Sequence, residues 1–125
     1  MESLTKLTVK GRIPSKKNSR NIFVRGGKII NIPSTKYAAW HKESLLQLKD
    51  FSPLCWDKVP TIKLEFYAPD KRASDLTNKA ESIMDLLVDK CIICDDNWWM
   101  VSKIILEFKG VDKINPRCEI SIYHA

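Results

Sequence analysis

Imidazole is scarce in this chain. His41 and His124 are the two histidines among 125 residues. That count argues against a histidine-based nuclease centre and against a serine–histidine hydrolase. Long apolar runs are also missing. No stretch approaches the roughly 18 residues of a membrane span. The N-terminal segment MESLTKLTVKG lacks the apolar centre of a secretory signal. We therefore expect a cytoplasmic protein with no membrane partner. In that compartment the four cysteines (55, 91, 94 and 118) are thiols rather than disulfides. The four glycines and six prolines are scattered singly or in pairs. They form no linker, repeat or low-complexity tract. One domain covering residues 1–125 is the expectation, and a chain of this length can bury a core.

Charge is present and unevenly placed. The net charge is +6. Residues 1–50 hold eleven Lys/Arg against three Asp/Glu, and residues 51–125 hold ten against twelve. Such a basic excess attracts phosphate backbones. The stretch GRIPSKKNSR carries Arg12, Lys16, Lys17 and Arg20 in a loop-like context, with Asn18 as a further donor. VRGGK adds Arg25 and Lys28 around a turn. Basic loops interleaved with Asn and Ser suit phosphate contacts better than base readout. No segment reads as a recognition helix.

Periodicity orders the rest. LTKLTVKG alternates, with Leu7 and Val9 on one face of a half-buried strand. NIFVRGGKIINI is two apolar runs around Gly26-Gly27 and predicts a hairpin. Tyr37, Trp40, Ser44, Leu45 and Leu48 follow helical spacing, with Ser34 or Thr35 as the cap. TIKLEFYA turns Ile62, Leu64 and Phe66 inward. A second helix covers about 75–89. WMVSKIILEF predicts a strand with Trp98, Met100, Ile104, Leu106 and Phe108 on one face. CEISIY ends the chain with Cys118, Ile120 and Ile122 inward. The order β-ββ-α-β-α-β-β predicts an α+β fold, a mixed β-sheet with two helices packed on one face.

The second helix and the segment after it carry the chemistry. Ala80, Ile83, Met84, Leu87 and Val88 share its apolar face. Asp75, Asn78, Ser82 and Asp85 form a polar stripe, bordered by Lys79. Next comes CIICDDNWW, with Asp95 and Asp96 adjacent. If the chain reverses at Asp89-Lys90 and runs back along the helix, both aspartates return toward Asp75. A short turn would instead leave Asp96 near Asp85. Carboxylates gathered at one point repel unless a cation sits between them. An oxygen-only ligand set selects Mg²⁺, with Mn²⁺ as the substitute. Beside a basic DNA-binding surface, that combination suggests metal-assisted phosphodiester hydrolysis.

SDLTNKAESIMDLLVDKCIICDDNWW resembles the core motif of RusA-type Holliday junction resolvases. Asp75, Asn78, Asp85, Asp95 and Asp96 match the pattern without a gap. PSKKNSR resembles the family's N-terminal loop, and the order of elements agrees along nearly the whole chain. The resemblance implies a RusA-like, Mg²⁺-dependent homodimeric endonuclease that nicks four-way DNA junctions symmetrically. Such proteins are commonly encoded by phages or prophages. It implies that Asp75 and Asp96 hold the metal, helped by Asp95, Asp85 or Glu81. Lys79 would offset negative charge developing on the phosphate. Lys16, Lys17, Asn18, Arg20, Arg25 and Lys28 would hold the junction arms. No small-molecule cofactor is expected. Three positions depart from the family: Thr77 replaces an aspartate, Glu81 the catalytic lysine, and Cys91 a glycine at the helix exit. In this reading Glu81 restores the lost carboxylate and Lys79 the lost cation.

Other features have plainer readings. Cys91-x-x-Cys94 lacks two further zinc ligands, so both are read as small apolar thiols in the core. One of Trp98 and Trp99 points outward, as a stacking or interface residue. Ile29, Ile30 and Ile32 join it as candidates for a dimer contact. The rival function is a non-catalytic protein that binds junctions or single-stranded DNA.

Overall fold

A computed structural model describes residues 3–15, 20–33, 35–51 and 55–124. Eight elements follow in the expected order. They are β1 (Ser3–Lys10), β2 (Arg20–Arg25), β3 (Lys28–Pro33), α1 (Thr35–Gln47), β4 (Thr61–Ala68), α2 (Leu76–Asp89), β5 (Ile104–Val111) and β6 (Arg117–His124). The fold is α+β. Four strands form one mixed sheet in the order β1-β6-β4-β5, and β2-β3 form a separate hairpin. β4 and β5 are parallel, which requires a crossover between them, and α2 supplies it. β6 runs antiparallel to both β1 and β4. No described helix is long and apolar enough to cross a membrane.

The alternating strands bury the faces their sequences dictate. Leu7, Val9, Ile62, Leu64, Phe66, Cys118, Ile120 and Ile122 are all buried. From α2 they meet Ala80, Ile83, Met84, Leu86 and Leu87 in one continuous core. The opposite sheet face is charged. There Lys63, Glu65, Glu107 and Lys109 form a ladder of ion pairs. In the hairpin, Arg25 pairs with Lys28 across Gly26-Gly27. Both glycines have positive φ, 58° and 77°, as a two-residue primed turn demands.

Three expectations are corrected. The strand expected from the tryptophans onward begins at Ile104. Asn97 breaks it: its side-chain oxygen accepts from the backbone N–H of Trp99 and Met100, at 3.0 and 3.3 Å. Its carbonyl also accepts from the Val101 N–H, which closes a turn. Trp98 and Trp99 both stand on that turn and are 78% and 85% exposed. Neither enters the core. Cys91 and Cys94 are exposed too; among the four free cysteines Cys118 is the buried one. Their places in the core are taken by Ile92 and Ile93, which are fully buried.

Candidate functional site

Asp75 is the N-cap of α2. Its Oδ1 accepts from the Thr77 N–H at 3.0 Å, the Thr77 hydroxyl at 2.7 Å and the Asn78 N–H at 3.4 Å. Aspartate is favoured here because it satisfies amides that have no helical partner. Thr77 therefore orients Asp75 rather than adding a carboxylate. The polar stripe beyond it is not solvated. Asn78 and Ser82 are buried. The Ser82 hydroxyl donates to the Pro14 carbonyl at 2.6 Å, and Lys79 Nζ donates to the Ile13 carbonyl. These bonds fasten the start of the N-terminal basic segment along α2.

A cleft of about 440 Å³ opens beside this helix end. Phe66, Leu76, Phe108 and Val111 give it apolar walls. Arg12, Asp70, Lys71, Arg72 and Lys79 charge its rim. Asp70 joins Arg12 to Arg72 through ion pairs. The Arg72 backbone N–H, the Arg72 side chain and Arg12 together draw the Asp70 carboxyl from its ordinary 3.8 down to about 2. Burial pushes the Lys79 ammonium below the usual lysine range, and the Arg12 charge acts in the same direction. With four cations around one acid, the cleft is suited to hold an anion.

Asp95 and Asp96 sit elsewhere. Asp95 accepts from the Asp96 N–H at 2.8 Å and from the Asn97 amide at 3.2 Å. Those bonds, the first above all, hold its carboxyl below the ordinary value. Asp96 lines a shallow cleft with Trp98, Trp99, Lys103 and Ile104.

The expected return of these aspartates to Asp75 does not occur. At the end of α2 the Cys91 N–H bonds the Val88 carbonyl, and the Ile92 N–H bonds the Leu87 carbonyl. Cys91 has φ 59°. This is a Schellman closure, with Cys91 where glycine is usual and Ile92 packed with Leu87. The chain then joins Trp56 and Val59, just before β4. Because β4 and β5 are parallel, the start of β5 lies beside the start of β4, with Ile104 opposite Ile62. Asp96 therefore lies at the β5 entrance. Asp75 lies at the other end of the sheet, where β4 leaves it. Between these ends runs α2, with 14 residues. At the helical rise per residue it spans roughly 20 Å. Asp75 and Asp96 therefore stand apart in the described chain.

The other expected site residues are dispersed. Asp85 accepts from the Tyr37 hydroxyl at 2.8 Å and lies 4.0 Å from His41. His41 Nε2 is 2.8 Å from Asp89. His41, Asp85 and Asp89 are the one trio of metal-ligating groups that converge among the described residues. Sequence alone could not link them, because His41 arrives from α1. Glu81 is exposed on α2. Lys16, Lys17 and Asn18 lie outside the described residues. Arg20 and Arg25 fall on β2, and Ile29, Ile30 and Ile32 on β3, with side chains outside the description. Lys28 is exposed at the hairpin turn. Sequence reasoning misses Asp70 and Arg72. Their signal is an aspartate–arginine pair two apart, just beyond a strand. Compared with protein-family models and with curated proteins, the chain matches none.

Proposed function

We propose that this protein acts on branched DNA as a metal-dependent, structure-selective endonuclease of the RusA type. The carrying observation is the cleft at the start of α2. There Arg12, Lys71, Arg72 and Lys79 face one opening beside the Asp75 cap. These cations would clamp a backbone phosphate, whose attraction to the surface falls with salt. Lys79 is held by the Ile13 carbonyl and pre-positioned to meet negative charge on that phosphate. Mg²⁺ or Mn²⁺ is the cofactor this reading expects, and the cytoplasm its setting. A labelled four-way junction tests it. Paired symmetric nicks that require the ion are expected, and no cleavage in either ion would overturn it.

A second reading has an observation in its favour. Trp98 and Trp99 present open ring faces, and such faces stack on unpaired bases. With Asp75 and Asp96 apart in one chain, a protein that binds junctions or single strands without cutting fits as well. Tight junction binding with no ion-dependent product selects this reading.

A further inference from the structure

The far end of α2 holds a second group of charges, which the proposed cleavage does not use. Asp85 and Asp89 lie one turn apart on α2, and His41 reaches them from α1. The ligand atoms of the three all lie within 4.8 Å of one another. His41 Nε2 is 2.8 Å from Asp89 Oδ2 and 4.0 Å from Asp85 Oδ2. The Tyr37 hydroxyl donates to that same Asp85 oxygen at 2.8 Å. Tyr37 is buried, so it holds the carboxylate from a fixed position. Its ring also lies against the imidazole of His41, with centroids 6.0 Å apart. One buried side chain thus steadies two of the three groups.

This arrangement calls for a cation. The C-terminus of a helix carries partial negative charge and favours positive groups. Asp89 is instead the last residue of α2, and the last turn holds no basic side chain. Two carboxylates this close also repel each other. His41 hydrogen-bonds one of them: at 4.0 Å, Asp85 is beyond hydrogen-bond range of the same nitrogen. A metal ion satisfies both. Zinc bonds imidazole nitrogen and carboxylate oxygen at about 2.0–2.2 Å, so two such ligands on one ion stand at most about 4.3 Å apart. Both distances from His41 already fall inside that limit. We infer that His41, Asp85 and Asp89 bind one Zn²⁺, which clasps α1 to α2. Three protein ligands leave the fourth tetrahedral position to water. All three side chains are partly exposed, so the ion enters from solvent. The nitrogen ligand separates this site from one for Mg²⁺, which takes oxygen. It lies at the opposite end of α2 from the basic cleft and does not depend on the nuclease reading.

Zn²⁺ alone is the probe, added to the full chain after a chelator has stripped it of metal. Calorimetry should find one Zn²⁺ per chain with micromolar or tighter affinity, and excess Mg²⁺ should not displace it. His41→Ala and Asp89→Asn should each weaken binding by more than about a hundredfold, and Tyr37→Phe by about tenfold. The circular dichroism of all three should stay that of wild type. Zn²⁺ should raise the melting temperature of wild type and leave that of His41→Ala unmoved. Should His41→Ala fail to fold, Asp89→Asn carries the test, because its side chain is half exposed.

Thiolate also binds zinc, and Cys91 and Cys94 are exposed just beyond Asp89. Co²⁺ in place of Zn²⁺ separates the two ligand sets. The inferred site should give the weak visible bands of a bound Co²⁺ without the intense near-ultraviolet band of a cobalt–thiolate bond. A single bound ion that shows that band, or that binds unchanged in both His41→Ala and Asp89→Asn, overturns the site. Mg²⁺ binding there as tightly as Zn²⁺ overturns the nitrogen ligand. No saturable Zn²⁺ binding in the micromolar range overturns the site as well, and leaves His41 and Asp89 as an ion pair only.

Discussion

The two ends of α2 are built by opposite means. At its start a side chain does the closing: Asp75 satisfies the first amides, and cations line the cleft beside it. At its end the backbone does the closing: the Cys91 and Ile92 amides satisfy the last carbonyls, and Ile92 seals the turn with apolar surface. The first arrangement leaves a charged, open cleft. The second turns the chain sharply into the core and sends Asp95 and Asp96 to the far edge of the sheet. Residues close in sequence therefore serve surfaces separated by the length of a helix.

The largest expected effect is at the start of the helix. Asp75→Asn removes a charge but keeps a good N-cap, since asparagine caps as well as aspartate. Junction cleavage should fall about a hundredfold to a thousandfold, while the melting temperature stays nearly unchanged. Asp75→Ala should lose the same activity and, in addition, about 1 kcal/mol of stability. Equal stability of the two variants would remove the capping role.

The far end should break by packing instead. Ile92→Ala leaves a cavity against Leu87 where both side chains are fully buried. Denaturant titration should show a loss of about 3 kcal/mol. A loss below about 1 kcal/mol would mean that the turn is held by its hydrogen bonds alone. Cys91→Gly tests the backbone of the same turn. Cys91 holds a left-handed φ. That conformation costs a residue with a Cβ about 1–2 kcal/mol. Glycine should recover about 1 kcal/mol of this, net of its greater unfolded-state entropy.

The smallest effect is electrostatic and belongs to the cleft. Asp70 has a folded pKa of about 2, below its ordinary 3.8. A depressed carboxyl stabilises the folded chain above its unfolded pKa, and that contribution is lost as pH falls through the folded value. Carbon-detected NMR should follow Asp70 titrating near pH 2 in the wild type. In Arg72→Ala the midpoint should rise toward 3.8. The salt dependence of DNA binding should flatten by about one ion. An unmoved midpoint would assign the depression to the Arg72 backbone N–H and Arg12.

Much of the fold is legible because local patterns carry it. Period-two alternation in TIKLEFYA and CEISIY puts Ile62, Leu64, Phe66, Ile120 and Ile122 inside, where they are found. Two adjacent glycines between apolar runs announce the hairpin. The expected α2 range misses its start by one residue, because Asp75 is the cap rather than the first turn. Alternation misleads at the tryptophans: it continues through WWMVS while Asn97 accepts the amides that a strand would have used. It misleads at Cys91 and Cys94 because the turn offers its buried places to the isoleucines between them.

Composition, alternation and helical spacing by themselves determined the class of fold, the order of its elements, the inward faces and the residues able to carry charge. Each of these depends on neighbours a few positions away, and that information is written in the chain. Tertiary structure alone decided where the charges meet. The parallel pairing of β5 with β4, the left-handed turn at Cys91 and the packing of α1 beside α2 set those distances. All three depend on which backbone groups and apolar surfaces satisfy one another across the molecule. That is why Asp75 and Asp96 read as neighbours in the sequence and stand at opposite ends of the sheet.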